Sequence, residues 1–250
     1  MNAVRTSPRF GPDNRLHPQR APFEFYPTPP EGTRALLSVE RFDGPIWEPA
    51  CGDGAIAREL SAAGYDVIAT DITAHGFGTP GIDFLKETAP RAKHIVTNPP
   101  YGRGLADRFI GHALKLTRES GGSVAMLLNL ASLCHPSRHA KFLNTPPAAI
   151  YGLDELVCWP AGDPRGATRS TLSHRYCWVI WKHGHTGRPC FWWVATAPFI
   201  PATPQVVPAT AVTPAVPAGL LPPGIRSTMR MCATSRPSSR PAAGAKSAEG

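Results

Sequence analysis

The stretch Ile46-Trp47-Glu48-Pro49-Ala50-Cys51-Gly52-Asp53-Gly54-Ala55-Ile56-Ala57 decides how this chain folds. It opens as an apolar strand, breaks into a turn carrying two glycines, and continues with helical periodicity. Glycine lets a backbone come close to a ligand, and the helix start just beyond favours a negatively charged group. A dinucleotide-binding fold uses the same device, so this segment alone leaves the ligand open.

Working downstream, Tyr65-Asp66-Val67-Ile68-Ala69-Thr70-Asp71 reads as a second buried strand that ends in a carboxylate, seventeen residues beyond Gly54. A carboxylate there suits the paired ribose hydroxyls of a dinucleotide or a nucleoside cofactor. Asp83-Phe84-Leu85 adds an acid followed by an aromatic. Asp83 could accept from an adenine amino group while Phe84 covers the ring, and the pair reads equally well as a helix N-cap followed by core residues. Cys51, inside the glycine turn, reads as a small packing residue.

The apolar run His94-Ile95-Val96-Thr97 leads straight into Asn98-Pro99-Pro100-Tyr101. An Asn amide oxygen and a carbonyl held by two prolines form a pair of fixed acceptors, with an aromatic ring beside them to stack on a planar substrate. Such a pair suits alkylation of an exocyclic nitrogen. An aniline-like amine gives its lone pair to its ring, and hydrogen bonds from both N–H groups favour the pyramidal form as positive charge builds on nitrogen. Asn-Pro is also a common turn initiator at a strand end.

Upstream of the first strand, Tyr26-Pro27-Thr28-Pro29-Pro30-Glu31 has capping-box spacing between Thr28 and Glu31 and predicts a helix over residues 31–41. Its free N-terminal donors could meet a carboxylate. Further on, a helix over residues 105–119 carries the apolar face Leu105, Phe109, Ala113 and Leu116. Ser123 to Leu130 then reads as a fifth buried strand, with one further strand expected between the strand that ends at Asp71 and the His94 run. Strands alternating with helical stretches predict an α/β, doubly wound, mainly parallel sheet. Glu155-Leu156-Val157-Cys158-Trp159 reads as a short strand, and Tyr176 to Trp181 with Cys190 to Val194 as a terminal antiparallel hairpin whose tryptophans belong to the core.

Two polar segments follow strand ends and suit substrate contacts: Cys134 to His139, and the long loop from Trp159 to Ser170. Arg138, Arg165 and Arg169, with Arg103 beside the Asn98 segment, are candidate phosphate ligands. Cys134, His135 and His139 lack the further ligands of a metal site, so no metal is expected.

Taken in order, Thr-Pro-Pro-Glu at Thr28, Glu-Pro-Ala-Cys-Gly-Asp-Gly at Glu48, the strand-end Asp71, Asp-Phe-Leu at Asp83 and Asn-Pro-Pro-Tyr-Gly at Asn98 resemble the gamma-class DNA adenine-N6 methyltransferases and their compact phage- or prophage-borne relatives. The resemblance spans residues 23–195 and is strongest over 25–104. It implies a class I S-adenosylmethionine-dependent fold with a seven-stranded sheet. Tyr26, Thr28 and Pro29 would lie by the methionine carboxylate of the cofactor. Glu48, Pro49, Ala50, Cys51, Gly52 and Gly54 would wrap its methionine and ribose. Asp71 would hold the ribose hydroxyls, and Asp83 with Phe84 the adenine. Asn98, Pro99, Pro100 and Tyr101 would form the catalytic set, Asn98 facing the cofactor as well, for direct in-line transfer to N6 of an adenine flipped from DNA, with Tyr101 stacking on it.

The same tetrapeptide serves methyltransferases of RNA bases and of protein glutamine, and a noncatalytic binding module could retain the fold. Only about 70 residues separate the fifth strand from the C-terminal tail. That leaves no room for a target-recognition domain, so the expectation is weak or short sequence specificity in a monomer or weak dimer.

The chain carries a net charge of +8, most of it near its ends. Residues 201–250 hold five Lys or Arg against one acid and residues 1–20 four Arg against one, leaving residues 21–200 at about +1. The expected organisation is a disordered basic segment over 1–20, one methyltransferase domain over 21–200, and a disordered Pro- and Ala-rich tail over 201–250 that adds weak nucleic-acid attraction. Six cysteines without paired spacing fit a reducing compartment. With no signal-peptide pattern and no apolar run long enough for a bilayer, a cytoplasmic protein without membrane association is expected.

Overall fold

A computed structural model describes residues 25–159 and 174–200, with the backbone but not the side chain of Arg103. The expected terminal segments, Arg165 and Arg169 lie outside the described residues.

Four short strands, β1 (Ile46–Glu48), β2 (Val67–Ala69), β3 (His94–Thr97) and β4 (Val124–Asn129), lie parallel to one another. β1 and β3 are buried at every position, as apolar runs covered on both faces must be. With β5 (Ala149–Leu153), β6 (Tyr176–Trp181) and β7 (Cys190–Val194) they form one seven-stranded sheet in the order β2-β1-β3-β4-β6-β5-β7. β6 alone runs against the other six.

Alternate residues of β4 and β6 enter opposite apolar layers. Ala125, Leu127, Trp178 and Ile180 join α1 (Pro30–Val39) and α2 (Ala55–Ala62) through Ala35, Leu36, Ile56 and Leu60. Val124, Met126, Leu128, Val179 and Trp181 meet α3 (Leu105–Leu116) through Phe109, Ile110, Ala113 and Leu116. The sheet is therefore covered on both faces, as a doubly wound fold requires. Trp178 Nε1 donates to Gly32 O at 2.8 Å and ties α1 to the sheet. A fourth helix, α4 (Pro136–Asn144), follows β4.

Several expectations need correction. The first helix forms, but its N-cap is Pro29 and no side chain caps it. Thr28 uses its hydroxyl elsewhere, as described below. The further strand expected between Asp71 and the His94 run does not form: Gly76, Gly78 and Gly81 all take positive φ, leaving a single parallel bridge between Thr70 and Thr79. The strand expected over 155–159 is absent because Asp154 ends β5, its Oδ1 accepting from the backbone amides of Glu155 and Thr196 and from the Thr196 hydroxyl.

Nor do β6 and β7 form a hairpin. The eight-residue link 182–189 exceeds a tight turn, and β5 lies between the two strands, antiparallel to β6 and parallel to β7. Gly152 sits inside β5, where a Cβ would come within 2.8 Å of the Trp193 ring. Trp178 and Trp181 are core residues as expected, while Trp192 and Trp193 stand exposed on the edge strand at 40% and 68%.

Candidate active site

The carboxyl ends of β1, β2 and β3 open into one cavity of about 300 Å³. In open α/β sheets this is the end at which ligands bind. Its wall carries Tyr26, Thr28, Glu48, Pro49, Ala50, Cys51, Gly52, Asp71, Asp83, Phe84, Asn98, Pro99 and Pro100, so most of the residues singled out from sequence meet in a single space. Pro29 and Gly54 do not line it.

Glu48 closes β1 and is only 2% exposed. Its Oε2 has no hydrogen-bond partner among the described residues. Burial pushes its carboxyl well above the ordinary carboxylate range, and the nearby charges of Asp53 and Asp71 push the same way against one backbone amide, that of Ala57. An orphaned buried carboxyl oxygen at a cavity wall favours a cationic ligand group there. Cys51 is held at about 12 by burial and by Glu48, which keeps it a thiol and supports its reading as a packing residue.

Asp71 does structural work as well as facing the cavity. Its Oδ2 accepts from Gly52 N at 2.8 Å and its Oδ1 from Thr73 N at 2.8 Å, so one carboxylate joins the glycine turn to the end of β2. The following loop folds back, with Thr79 N donating to Ala69 O and Asp71 N to Thr79 O, each at 3.0 Å. This lays Phe77 over Gly54, where a Cβ would come within 2.4 Å of the Phe77 ring. Gly54, at φ 86°, is thus required by its backbone and by a side chain packed on it, not by direct lining of the cavity. Asp83 Oδ1 accepts from Leu85 N, capping a short 3-10 turn, and Phe84 beside it is 1% exposed, packed on Trp47, Phe109 and His112. Asp83 thus caps this turn as one reading of the sequence expected, and both residues line the cavity.

Asn98 follows β3 and has its carboxamide fixed from both ends. Nδ2 donates to Tyr26 O and to Thr28 Oγ1, each at 3.1 Å. Oδ1 accepts from the Tyr101 hydroxyl at 2.6 Å, and that hydroxyl also lies 2.9 Å from Leu127 O. These partners orient the amide: a flipped carboxamide would set its oxygen against the Tyr26 carbonyl. The Tyr101 ring packs against both apolar layers and is not part of the cavity wall, so the stacking face expected at this position is turned inward.

Arg138 is not a free phosphate ligand. It is 7% exposed, its Nε donates to Asp107 Oδ1 at 2.6 Å and its guanidinium reaches Ser132 Oγ. Burial pushes Asp107 up, but Arg138 and Lys141 outweigh it and hold the carboxyl below its ordinary value. His135 caps α4, its side chain accepting from Ser137 N. Arg103 has only its backbone described, in a 3-10 turn before α3.

Sequence reading passed over several cavity residues, among them Phe25, Ile72, Thr73, His75, Ile82 and Leu85. Phe25 stacks on His75 with ring centroids 4.3 Å apart, closing one side. Ile72 is 61% exposed, an apolar face directly after the Asp71 carboxylate. The available signal was that position alone, since the glycine-rich loop around it has no periodicity.

No protein-family model matches the chain, and no curated protein matches it in sequence. Among solved structures it is similar to a modification subunit assigned to a type I restriction enzyme of Vibrio vulnificus YJ016, at TM-score 0.46 and 15% identity over 68% of this chain and 47% of that one. It is similar to a type I restriction-modification methyltransferase subunit of Streptococcus thermophilus, at TM-score 0.46 and 14% identity over 66% and 45%. A protein assigned as an RNA methyltransferase of Pyrococcus horikoshii aligns at TM-score 0.45 and 12% identity over 68% and 90%. The chain spans a little under half the length of the two restriction subunits. The seven-stranded sheet with one reversed strand, helices on both faces and a cavity at the strand ends is a doubly wound, mainly parallel α/β fold.

Proposed function

We propose that this chain transfers a methyl group from S-adenosylmethionine to the exocyclic N6 amine of adenine in DNA, with short or weak sequence specificity. The observation that carries this reading is that Asn98, Pro99 and Pro100 line the same cavity as Glu48, Asp71 and Asp83. An amine-gripping segment and a nucleoside-holding segment share one space.

The residues fit the donor. Glu48, with its orphaned Oε2, suits the cationic end of the molecule, and Gly52 lets the turn approach closely. Asp71 retains lone pairs for ribose hydroxyls after accepting its two backbone amides. Asp83, with Ile72 and Phe84 beside it, suits the adenine end. When bound, S-adenosylmethionine supplies a methyl group activated by its sulfonium.

The chain's own contribution is positioning and electrostatics. Asn98 Oδ1 and the Pro99 carbonyl accept the two N–H groups of the target amine, turning its lone pair outward and stabilising the charge that develops on nitrogen. Thr28 and the Tyr26 carbonyl prevent the carboxamide from turning away. A base in duplex DNA has to leave the stack to reach this depth.

The test is to incubate the protein with methyl-labelled donor and, separately, duplex DNA, single-stranded DNA, RNA and cell-extract protein. Label in DNA, recovered as N6-methyladenine, is the expected result. Label entering only RNA or protein would reassign the substrate, and no label in any acceptor would favour a binding module.

A further inference from the structure

We infer that Tyr101 is a positioning residue, which acts through its hydroxyl to hold the Asn98 carboxamide, and not a ring on which the substrate stacks; this rests on the reading of Asn98 as the group that grips the target amine.

Three observations agree. The hydroxyl lies 2.6 Å from Asn98 Oδ1 and 2.9 Å from Leu127 O, both acceptors, so its single proton is shared between the segment after β3 and β4, with the shorter contact to Asn98. Leu127 lies one residue past the last pair between those strands, Thr97 with Met126, where backbone pairing across β3 and β4 has stopped. The ring packs against the apolar layers on both faces of the sheet. Finally, Tyr101 is not part of the cavity wall that its neighbours Asn98, Pro99 and Pro100 form.

The consequence for Asn98 is specific. An amide oxygen has two acceptor sites, and Tyr101 takes one, leaving the other for an incoming N–H. Nδ2 is already committed to Tyr26 O and Thr28 Oγ1, so the hydroxyl completes a set of partners that permits a single amide orientation. Burial holds the Tyr101 phenol well above its ordinary value, so it stays a donor across the working range of pH.

The test compares Tyr101→Phe, which keeps the ring and loses the hydroxyl, with Tyr101→Leu, which loses both. Tyr101→Phe should lower kcat about five- to tenfold, the scale of one neutral hydrogen bond, with the KM for DNA unchanged. Tyr101→Leu should lower kcat at least as much, again without a selective rise in KM. Wild-type kcat in Tyr101→Phe together with a raised KM in Tyr101→Leu would establish stacking and overturn the inference.

A second readout needs no turnover. In the full chain labelled with ¹⁵N-asparagine, the Asn98 side-chain amide, assigned by its loss in Asn98→Asp, should shift and exchange faster in Tyr101→Phe. An unchanged amide signal would overturn the inference even if methyl transfer were seen. Failure of wild-type protein to methylate any acceptor would overturn the proposed function, while the amide signal would still decide the contact.

Discussion

Asn98 Nδ2 donates to Thr28 Oγ1 at 3.1 Å across 70 residues of sequence. This bond joins the approach to the first helix with the end of β3, and it explains why Thr28 caps nothing. Thr28→Val keeps the shape and removes the acceptor, leaving Nδ2 with the Tyr26 carbonyl alone. Methyl transfer should fall about three- to tenfold in kcat, the scale of one neutral hydrogen bond, and Thr28→Ser should restore it. Steady-state kinetics on the two variants decides this.

Glu48 predicts a pH dependence. Its folded carboxyl titrates above its unfolded value, so the folded state binds more protons between the two. Stability of the ligand-free protein from this group is therefore greatest below the unfolded value and declines as pH rises toward the folded one, by about 1.4 kcal/mol per pH unit for one proton. Glu48→Gln should remove that decline and stabilise the ligand-free protein at alkaline pH, while weakening cofactor binding. Denaturant unfolding across pH, beside calorimetric titration with the cofactor, measures both.

Gly54 meets two constraints at once, a left-handed backbone and the Phe77 ring. Gly54→Ala should cost at least 1–2 kcal/mol from the backbone alone, at the order of magnitude known for L-residues in that region, with the ring clash in addition. In a Phe77→Ala background the clash share should vanish and the backbone share remain. Equilibrium unfolding of the four proteins in the cycle separates the two.

The pairing of Asp107 with Arg138 and Lys141 predicts a stability defect, not a DNA-binding one, when Arg138 is lost. Arg138→Ala should destabilise by about 2–3 kcal/mol, since it leaves a largely buried carboxylate with Lys141 alone. Asp107 titrates below its ordinary value, so the pairing contributes fully above the unfolded carboxylate value and is lost as pH falls through the lower folded one. The salt dependence of DNA affinity should stay as in wild type, whereas loss of a phosphate contact would flatten it by about one unit of slope.

Legibility followed the spacing between strand ends. Glu48, Asp71 and Asn98 each terminate or follow an apolar run, and parallel strands deliver such positions to one edge of the sheet. What escaped sequence reading depended on long-range choices. β5 carries Gly152, whose missing side chain makes room for Trp193, and the partner of β7 was set by an eight-residue link that could have closed a loop or crossed a strand. Tyr101 was legible as an aromatic beside the amine site but not as one turned inward, because its direction is fixed by Leu127, which lies 26 residues away. Arg138 looked like a loop arginine because the Asp107 that holds it lies on α3, 31 residues upstream.

The most direct measurement is single-turnover methyl transfer by Asn98→Ala on adenine-containing DNA, with cofactor affinity measured on the same preparation. The Glu48, Asp71 and Asp83 side of the cavity is left intact, so cofactor binding should be retained while the rate of N6 methylation falls by about 10²-fold or more, as when a transition-state acceptor or donor is removed. A wild-type rate in Asn98→Ala would contradict the account.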